Sequence, residues 1–257
     1  WLIGCDGGRS TVRHAAGIAF EGFTYPERFI KIASDFDFQK YRPEYVYRNY
    51  LSDPDEWCNL FKVSGTRPGG LWRTIFPTRL DETEEQALAP EAVQARLQKF
   101  FPAAKPYEVV HRNLYTTHQR VAATFRQGRV LLAGDAAHVN NSIGGMGLNG
   151  GLQDAANLAE KLGRVIVDGE SDALLDLYSL QRRTVTIEFV QEQTIANKKR
   201  LEARDPQTRA KNFEELSRTA ADPARARDFM LRAGMITMQR RADSIGPGDL
   251  PPRFSPA

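Results

Sequence analysis

Two hydrophobic patterns alternate along the chain. Short, continuously apolar runs at 1–5 and 128–133 indicate buried strands, and the second run is typical of a strand buried on both faces of a parallel sheet. Elsewhere apolar and polar residues alternate, and many of the apolar ones are aromatic or β-branched, which predicts half-buried antiparallel strands. These alternating segments lie at 29–33, 35–38, 45–50, 71–76 and 109–125. The order of the two patterns predicts an α/β protein in which an antiparallel sheet interrupts a parallel one.

Helical composition appears between and after these strands. Residues 10–16 predict a short helix, and residues 82–101 predict a helical segment in which Pro90 suits a helix start and Pro102 ends it. Another helix follows the second apolar strand, because apolar residues recur there at three- and four-residue spacing. The recurring positions are Leu152, Ala155, Ala156, Ala159 and Leu162. Beyond Gly169 the pattern is helical to the end.

Composition narrows the classes of protein that fit. With 257 residues, 41% of them hydrophobic, the chain is long enough to bury a core as one large domain or two small ones. Two cysteines, Cys5 and Cys58, make no disulfide framework, so we expect a reducing, cytoplasmic location. The net charge of +3 is too small to indicate nucleic acid, and no apolar run reaches the roughly 20 residues of a membrane helix. We therefore expect neither nucleic acid nor a membrane as partner, and a homo-oligomer stays open.

The chemically most informative segment runs from Gly128 to Asn157. A buried strand there ends at Asp135, which places a carboxylate at the carboxyl edge of a sheet, where α/β folds bind ligands. The glycines of 144–151 lead into a helix, whose free N–H groups and positive dipole end favour an anionic or electron-rich ligand. Glycine also lets the backbone approach a flat ring closely. An ordinary strand–loop–helix connection is the alternative, and a Gly-rich loop alone does not decide between them.

The full string is much longer than such a loop. Gly-Arg-Val-Leu-Leu-Ala-Gly-Asp-Ala-Ala-His occupies 128–138, and Gly-Gly-x-Gly-x-Asn at 144–149 and Asp-Ala-x-Asn-Leu at 154–158 follow it. The chain opens with a second motif, Asp-Gly-Gly-Arg-Ser at 6–10. Together these motifs resemble the FAD-dependent monooxygenase family of flavoprotein aromatic hydroxylases, of which para-hydroxybenzoate hydroxylase is the familiar member.

The resemblance implies how the protein would bind FAD. Asp135 would hydrogen-bond the ribityl chain, and the backbone from Gly145 to Asn149 would meet the pyrimidine edge of the flavin ring. Asp6 would shape the nucleotide site, and Arg13 would pair with Asp6 or with phosphate unless it is a solvated surface residue. The cofactor-binding residues predicted in this way are Asp6, Gly134, Asp135, Gly145, Gly147, Leu148 and Asn149.

The chain departs from the family's pattern in two places. Ser142 stands where the family usually has a proline just before the flavin loop, which comprises residues 144–147 here. The family's first motif, a βαβ unit with Gly-x-Gly-x-x-Gly that holds the ADP half of FAD, is missing, and the glycines at 144–147 do not replace it. We therefore interpret the chain as part of a longer protein, and we expect this part alone to bind FAD poorly and to be inactive.

The remaining candidate residues carry less information. We interpret His138, which follows the Asp135 turn, as a structural neighbour of the flavin loop rather than a catalytic base. No other histidine has metal-ligand spacing, so the sequence predicts no metal site, and it identifies no catalytic residue. Aromatic residues of the alternating strands suit the wall of a substrate pocket, although such residues more often form plain core. They are Phe36, Phe38, Tyr45, Tyr47, Tyr50 and Trp72.

The resulting prediction is a glutathione-reductase-like α/β FAD-binding domain that lacks its first βαβ unit. Residues 1–20 and 120–195 would form this partial domain, 21–119 an antiparallel substrate-binding sheet, and 196–257 a C-terminal helical region. The resemblance implies a monooxygenase that uses NADH or NADPH and O₂ to hydroxylate an aromatic or related small molecule through a flavin hydroperoxide. Two alternatives stay open: another flavoprotein oxidoreductase, such as a reductase or halogenase, and a non-catalytic fragment that no longer binds FAD.

Overall fold

The computed structural model describes residues 1–65 and 70–250. The strands are β1 (Leu2–Gly4), β2 (Phe20–Ser34), β3 (Arg48–Leu51), β4 (Cys58–Val63), β5 (Leu71–Pro77), β6 (Val109–Ala122), β7 (Arg126–Gln127), β8 (Val130–Leu132) and β9 (His138–Val139). The helices are α1 (Thr11–Ala15), α2 (Phe38–Tyr41), α3 (Glu84–Leu88), α4 (Pro90–Phe100), α5 (Met146–Val167), α6 (Ala173–Val185), α7 (Glu192–Leu201), α8 (Pro206–Ala221), α9 (Pro223–Ala233) and α10 (Ile236–Asp243). A π-helical segment, Thr186–Gln191, joins α6 to α7. In these described ranges no helix is both long and apolar enough to cross a membrane.

The chain forms two compact units. Unit 1 comprises Trp1–Phe23, His118–Asn197 and the residues from Glu215 onward. Its sheet has the order β1-β8-β7, in which β1 and β8 run parallel and β7 adds an antiparallel edge. The buried side chains of β8 pack with those of α5 and α6, among them Tyr178. The parallel-sheet strand predicted at 128–133 is therefore confirmed. The burial predicted for the strand at 1–5 is wrong at Leu2 and Ile3, which are 54% and 41% exposed because β1 lies at the end of this sheet.

Unit 2 comprises Thr24–Thr117 and Lys198–Glu214 and contains most of the antiparallel sheet. The sheet order is β3-β4-β5-β2-β6-β9, and β2 and β6 contribute residues to both units. Helix α4 packs on the strands of unit 2 through Val93 and Leu97, both fully buried. The predicted helical segment at 82–101 is thus confirmed as two helices, with Pro90 in the first turn of the second.

The strand predicted at 35–38 is wrong, because the local chemistry of Asp37 favours a helix start. Its side chain accepts a hydrogen bond from the Gln39 N–H and caps α2, which begins at Phe38. The indole Nε1–H of Trp72 donates to the same carboxylate over 3.2 Å. Capping therefore ends the alternating pattern after Ser34.

Helix α5 buries a different face from the one its apolar residues suggest. Leu152, Ala155, Ala156 and Ala159 are exposed, together with Leu148 in the first turn. The buried positions are instead largely polar or small: Met146, Gly150, Asp154, Asn157, Leu158 and Lys161. The interior side of this helix is consequently organised by hydrogen bonds and ion pairs as well as by apolar packing.

Candidate functional site

Asp135 lies in a single 3₁₀ turn, Gly134–Ala136, directly after β8. The residue is exposed, and no hydrogen bond joins its carboxylate to any part of the chain that the structure describes. Gly134 adopts φ +60°, which favours glycine, and a Cβ on Gly151 of α5 would lie 3.2 Å from the Gly134 Cα. The turn therefore packs closely on α5 and leaves the Asp135 carboxylate available to a ligand.

The N-terminus of α5 forms the second part of the site. Gly144 and Gly145 adopt φ +111° and +68°, in the left-handed region that favours glycine, and no side chain of the residues described at 1–65 and 70–250 caps the helix. Asn149 instead donates its side-chain N–H to the Gly145 carbonyl over 2.9 Å, and Leu148 is exposed. The first backbone N–H groups of this 22-residue helix thus lack side-chain caps. Such donors at a positive dipole end fit the carbonyl and nitrogen acceptors on the pyrimidine edge of a flavin.

Asp6 organises the loop of the opening motif. Its carboxylate accepts hydrogen bonds from the Ser10 hydroxyl and from the Val12 N–H, the latter over 3.1 Å. The bond from Ser10, followed by the bond from Val12, lowers the pKa of Asp6. Asp6 therefore stays ionised near neutral pH, and both its oxygens are engaged by the start of α1.

Arg13 is neither a surface residue nor a partner of Asp6. Its side chain is buried and donates to the carbonyls of Ala136 over 2.8 Å and Gly8 over 2.9 Å, while its guanidinium lies 3.7 Å from the centre of the Phe20 ring. The predictions that Arg13 forms an ion pair with Asp6 or is solvated are wrong, because its guanidinium contacts two backbone carbonyls and an aromatic face instead. Pairing with phosphate stays a prediction. Arg13 joins the opening motif to the Asp135 turn.

A buried ion network holds the turn from the other side. The Asp154 carboxylate of α5 accepts from the Gly134 N–H over 3.0 Å, contacts His138 Nε2 at 2.7 Å, and pairs with Arg182 Nε of α6 at 2.8 Å. Asp154 and Arg182 are fully buried, and His138 is 1% exposed and stacks on Phe125. His138 therefore lies inside this buried network, and its interpretation as a structural residue stays a prediction.

Opposing effects act on the Asp154 carboxyl group. Burial raises its pKa, but the charges and hydrogen bonds of His138 and Arg182 outweigh burial, so that the pKa lies below its ordinary value. Asp154 is therefore ionised in the folded protein. Asp154 stood in the second motif without an assigned role, and Arg182 was missed altogether. The signal for Asp154 was the recurrence of polar residues at 154, 157 and 161, which is three- and four-residue spacing on one side of α5, whereas no local pattern marks Arg182.

The aromatic residues of unit 2 divide between core and surface. Phe38 and Trp72 are fully buried, and Phe36 and Tyr45 pack against the same core. Tyr47 is 71% exposed, and Tyr50 also belongs to the exposed set. Most of the predicted pocket-wall residues are thus core. A cleft of about 750 Å³ in unit 2 is lined by other residues, and it includes none of the predicted flavin-site residues.

Comparison with known proteins decides the family. A family model described as "FAD binding domain" matches residues 1–193. The chain belongs to this family. The resemblance, the α/β fold and FAD as the cofactor of the family are thereby confirmed.

Individual relatives add detail. Para-nitrophenol 4-monooxygenase from Pseudomonas sp. (strain WBC-3) is 40% identical over 233 residues, 90% of this chain and 56% of that protein. A 3-(3-hydroxy-phenyl)propionate/3-hydroxycinnamic acid hydroxylase from Mycolicibacterium smegmatis is 39% identical, over 71% of this chain and 31% of that protein. The crystal structure of p-nitrophenol 4-monooxygenase from Pseudomonas putida DLL-E4 matches with a TM-score of 0.83 and 36% identity, over 95% of this chain and 59% of that one. The chain spans about half the length, or less, of these curated relatives.

Proposed function

We propose that the protein containing this chain is an FAD-dependent monooxygenase that uses NADH or NADPH and O₂ to hydroxylate a small aromatic molecule, with a phenol as the first substrate class to test. The observation that carries this proposal is that, among the described residues, the Asp135 carboxylate has no partner and the α5 N-terminus has no side-chain cap, in a member of the FAD-binding family. Relatives named as a nitrophenol monooxygenase and a hydroxyphenylpropionate hydroxylase support the substrate class.

In this proposal the two parts of the site have complementary tasks. FAD, when bound, supplies the electron transfer and the oxygen chemistry. The Asp135 carboxylate accepts hydrogen bonds from hydroxyl groups of the cofactor's sugar-alcohol chain. The backbone N–H groups of Gly147 and Leu148 donate to the ring edge, where the helix dipole stabilises negative charge. Asp6 and Gly134 keep their loops in place, and Gly145 and Asn149 shape the helix start.

Exposed apolar surface supports a longer parent enzyme. Leu148, Leu152 and Ile166 lie along one side of α5 and are 76%, 59% and 60% exposed, and Leu2 and Ile3 of β1 are also exposed. Surfaces of this kind are commonly covered by further protein. The proposed enzyme would bury them under the part of the relatives' length that this chain does not span.

FAD retention by the full-length protein tests the cofactor site. Replacing Asp135 with Ala should raise the dissociation constant for FAD about tenfold, because charge-assisted hydrogen bonds to the cofactor are lost. The matched control is Asp168→Ala at the C-terminal end of α5, which should leave the constant unchanged. Equal FAD affinity in all three proteins would contradict the role of Asp135. A full-length protein that is colourless and cannot be reconstituted with FAD would favour the non-catalytic alternative.

Turnover separates the enzyme classes. The full-length protein should consume NADH or NADPH faster when a substrate phenol is present and should form a hydroxylated product, followed by chromatography with ¹⁸O₂ labelling. Reduction of flavin that never leads to an oxygenated product would favour a reductase, and halide-dependent product formation would favour a halogenase.

A further inference from the structure

The segment before the flavin loop is held by one buried side chain. Asn141 is fully buried, and its side-chain Oδ1 accepts from the Ile143 N–H over 3.0 Å. Its Nδ2 donates to the Thr194 carbonyl over 3.0 Å and to Gln119 Oε1 over 3.2 Å. Its backbone N–H donates to the same Gln119 oxygen over 3.1 Å. Both the side chain and the backbone of Asn141 are therefore fixed.

The partners of Asn141 also bind each other. Gln119 of β6 donates its Nε2–H to the Thr194 hydroxyl over 2.8 Å, and that hydroxyl donates to the Val190 carbonyl over 2.7 Å. Gln119 is 2% exposed and Thr194 is fully buried. The three residues thus close a ring of hydrogen bonds, which we call the amide clamp (Gln119, Asn141 and Thr194). A ring in which each member bonds both others has little freedom to shift.

The amide clamp acts on backbone that leads directly into α5. The bond from Ile143 N–H to Asn141 is a local turn of the kind that asparagine favours. Next, the Gly145 N–H donates to the Ser142 carbonyl over 3.2 Å, and Asn197 of α7 donates to the Ile143 carbonyl over 3.4 Å. A displacement of Asn141 would consequently move the Gly145 cap and the first N–H groups of the helix.

We propose that the amide clamp consists of positioning residues, which fix the position and orientation of the flavin loop. This chain has Ser142 where the family usually has a proline. Here three residues restrain the loop through hydrogen bonds, whereas a proline would restrain it through its own ring. This inference rests on the proposed FAD-binding function. The amide clamp contains no ionisable side chain, so its restraint persists across the pH range in which the protein is folded.

The test uses the full-length protein with three variants: Asn141→Ala, Thr194→Val and the two combined. Each single change should raise the FAD dissociation constant about tenfold, measured by fluorescence titration, and should shift the visible absorption band of bound flavin. Because the two residues act as one unit, their effects should not add. The FAD dissociation constant of the combined variant should therefore be no higher than the higher of the two single-variant values. Thr194→Ser, which keeps the hydroxyl, should restore the affinity and spectrum of the unmodified protein.

Gln94→Ala is the matched control for general destabilisation. The Gln94 amide donates to the Tyr107 carbonyl over 2.7 Å and accepts from the Tyr107 N–H over 2.9 Å, and in the described part of the chain it has no bond to the flavin loop. Its loss should lower the melting temperature without changing FAD affinity or the flavin spectrum. If Asn141→Ala does not fold, comparison of Thr194→Val with Thr194→Ser still tests the positioning role.

The outcomes separate the two proposals. If the unmodified protein binds FAD and the amide-clamp variants bind it equally well with an unchanged spectrum, the positioning role is wrong and the proposed function stands. The role is also wrong if Gln94→Ala weakens FAD binding as much as Thr194→Val does. If the unmodified full-length protein does not bind FAD, the proposed function fails first.

Discussion

Two neighbouring backbone segments of unit 1 are held by opposite means. The turn that carries Asp135 is tied to α5 and α6 by buried charges centred on Asp154, whereas the segment before Gly144 is tied to β6 and α7 by the neutral amide clamp. Buried charges attract each other strongly, but each must lose its hydration to be buried. Removing one of them leaves its partner buried without a counter-charge, which strongly destabilises the fold. Neutral amides cost less to bury, and they direct the backbone through bond geometry.

The largest expected effect comes from breaking the charged network. Asp154→Ala should destabilise the protein by about 3–5 kcal/mol, because Arg182 would remain buried without its counter-charge. Urea denaturation followed by circular dichroism measures the change. Glu160→Ala is the control on the same helix, since Glu160 is exposed and its ion pair with Arg164 is long, at 3.8 Å. A loss as small as that of Glu160→Ala would show that the network contributes no net stability.

Breaking the neutral clamp should cost less. Thr194→Val keeps the shape of the side chain but removes the hydroxyl that accepts from Gln119 and donates to Val190. The expected destabilisation is about 1–2 kcal/mol, the usual cost of a buried hydrogen-bonding group that loses its partner. The same denaturation experiment provides the value. A loss as large as that of Asp154→Ala would remove the contrast between the two networks.

The smallest expected effect is a difference in how the stabilities of the two networks respond to acid pH. The pKa of Asp154 is lower in the folded protein than its ordinary value of 3.8, so its contribution is complete above that value and is lost as pH falls through the lower, folded pKa. The stability difference between the unmodified protein and Asp154→Asn should therefore shrink as pH falls below about pH 3.8. The difference produced by Thr194→Val should stay constant over the same range. Parallel pH dependence in the two variants would contradict this assignment.

Sequence reasoning was most successful where function and backbone are encoded locally. The run from Gly128 to Asp135 and the glycines before α5 specify a strand, a turn and a helix start through neighbouring residues alone. The prediction of a strand at 35–38 was wrong for a related reason. Asp37 caps a helix that begins at Phe38, and hydrophobic alternation does not reveal such a cap.

The supports of the site were not predictable in the same way. Gln119 and Thr194 are 75 residues apart, and no local pattern in β6 or α7 marks them as partners. The buried face of α5 was equally hidden, because an apolar stripe normally marks the inner side of a helix. Here Asp154 and its partners supply the interior contacts, so periodicity indicated a helix correctly but not its orientation.

Most of the apolar residues at helical spacing on α5 face outward, and this has a consequence for selection experiments on this chain. A screen for expression yield should accept polar replacements at Leu152 and Ala159, which face outward, and reject them at Leu158, which is 3% exposed. Under the proposal that further protein covers this side of α5, a screen for cofactor-dependent activity of the proposed full-length enzyme should reject replacements at the outward positions as well. Positions tolerated in the first screen and refused in the second would map the surface that the proposed further part of the enzyme covers.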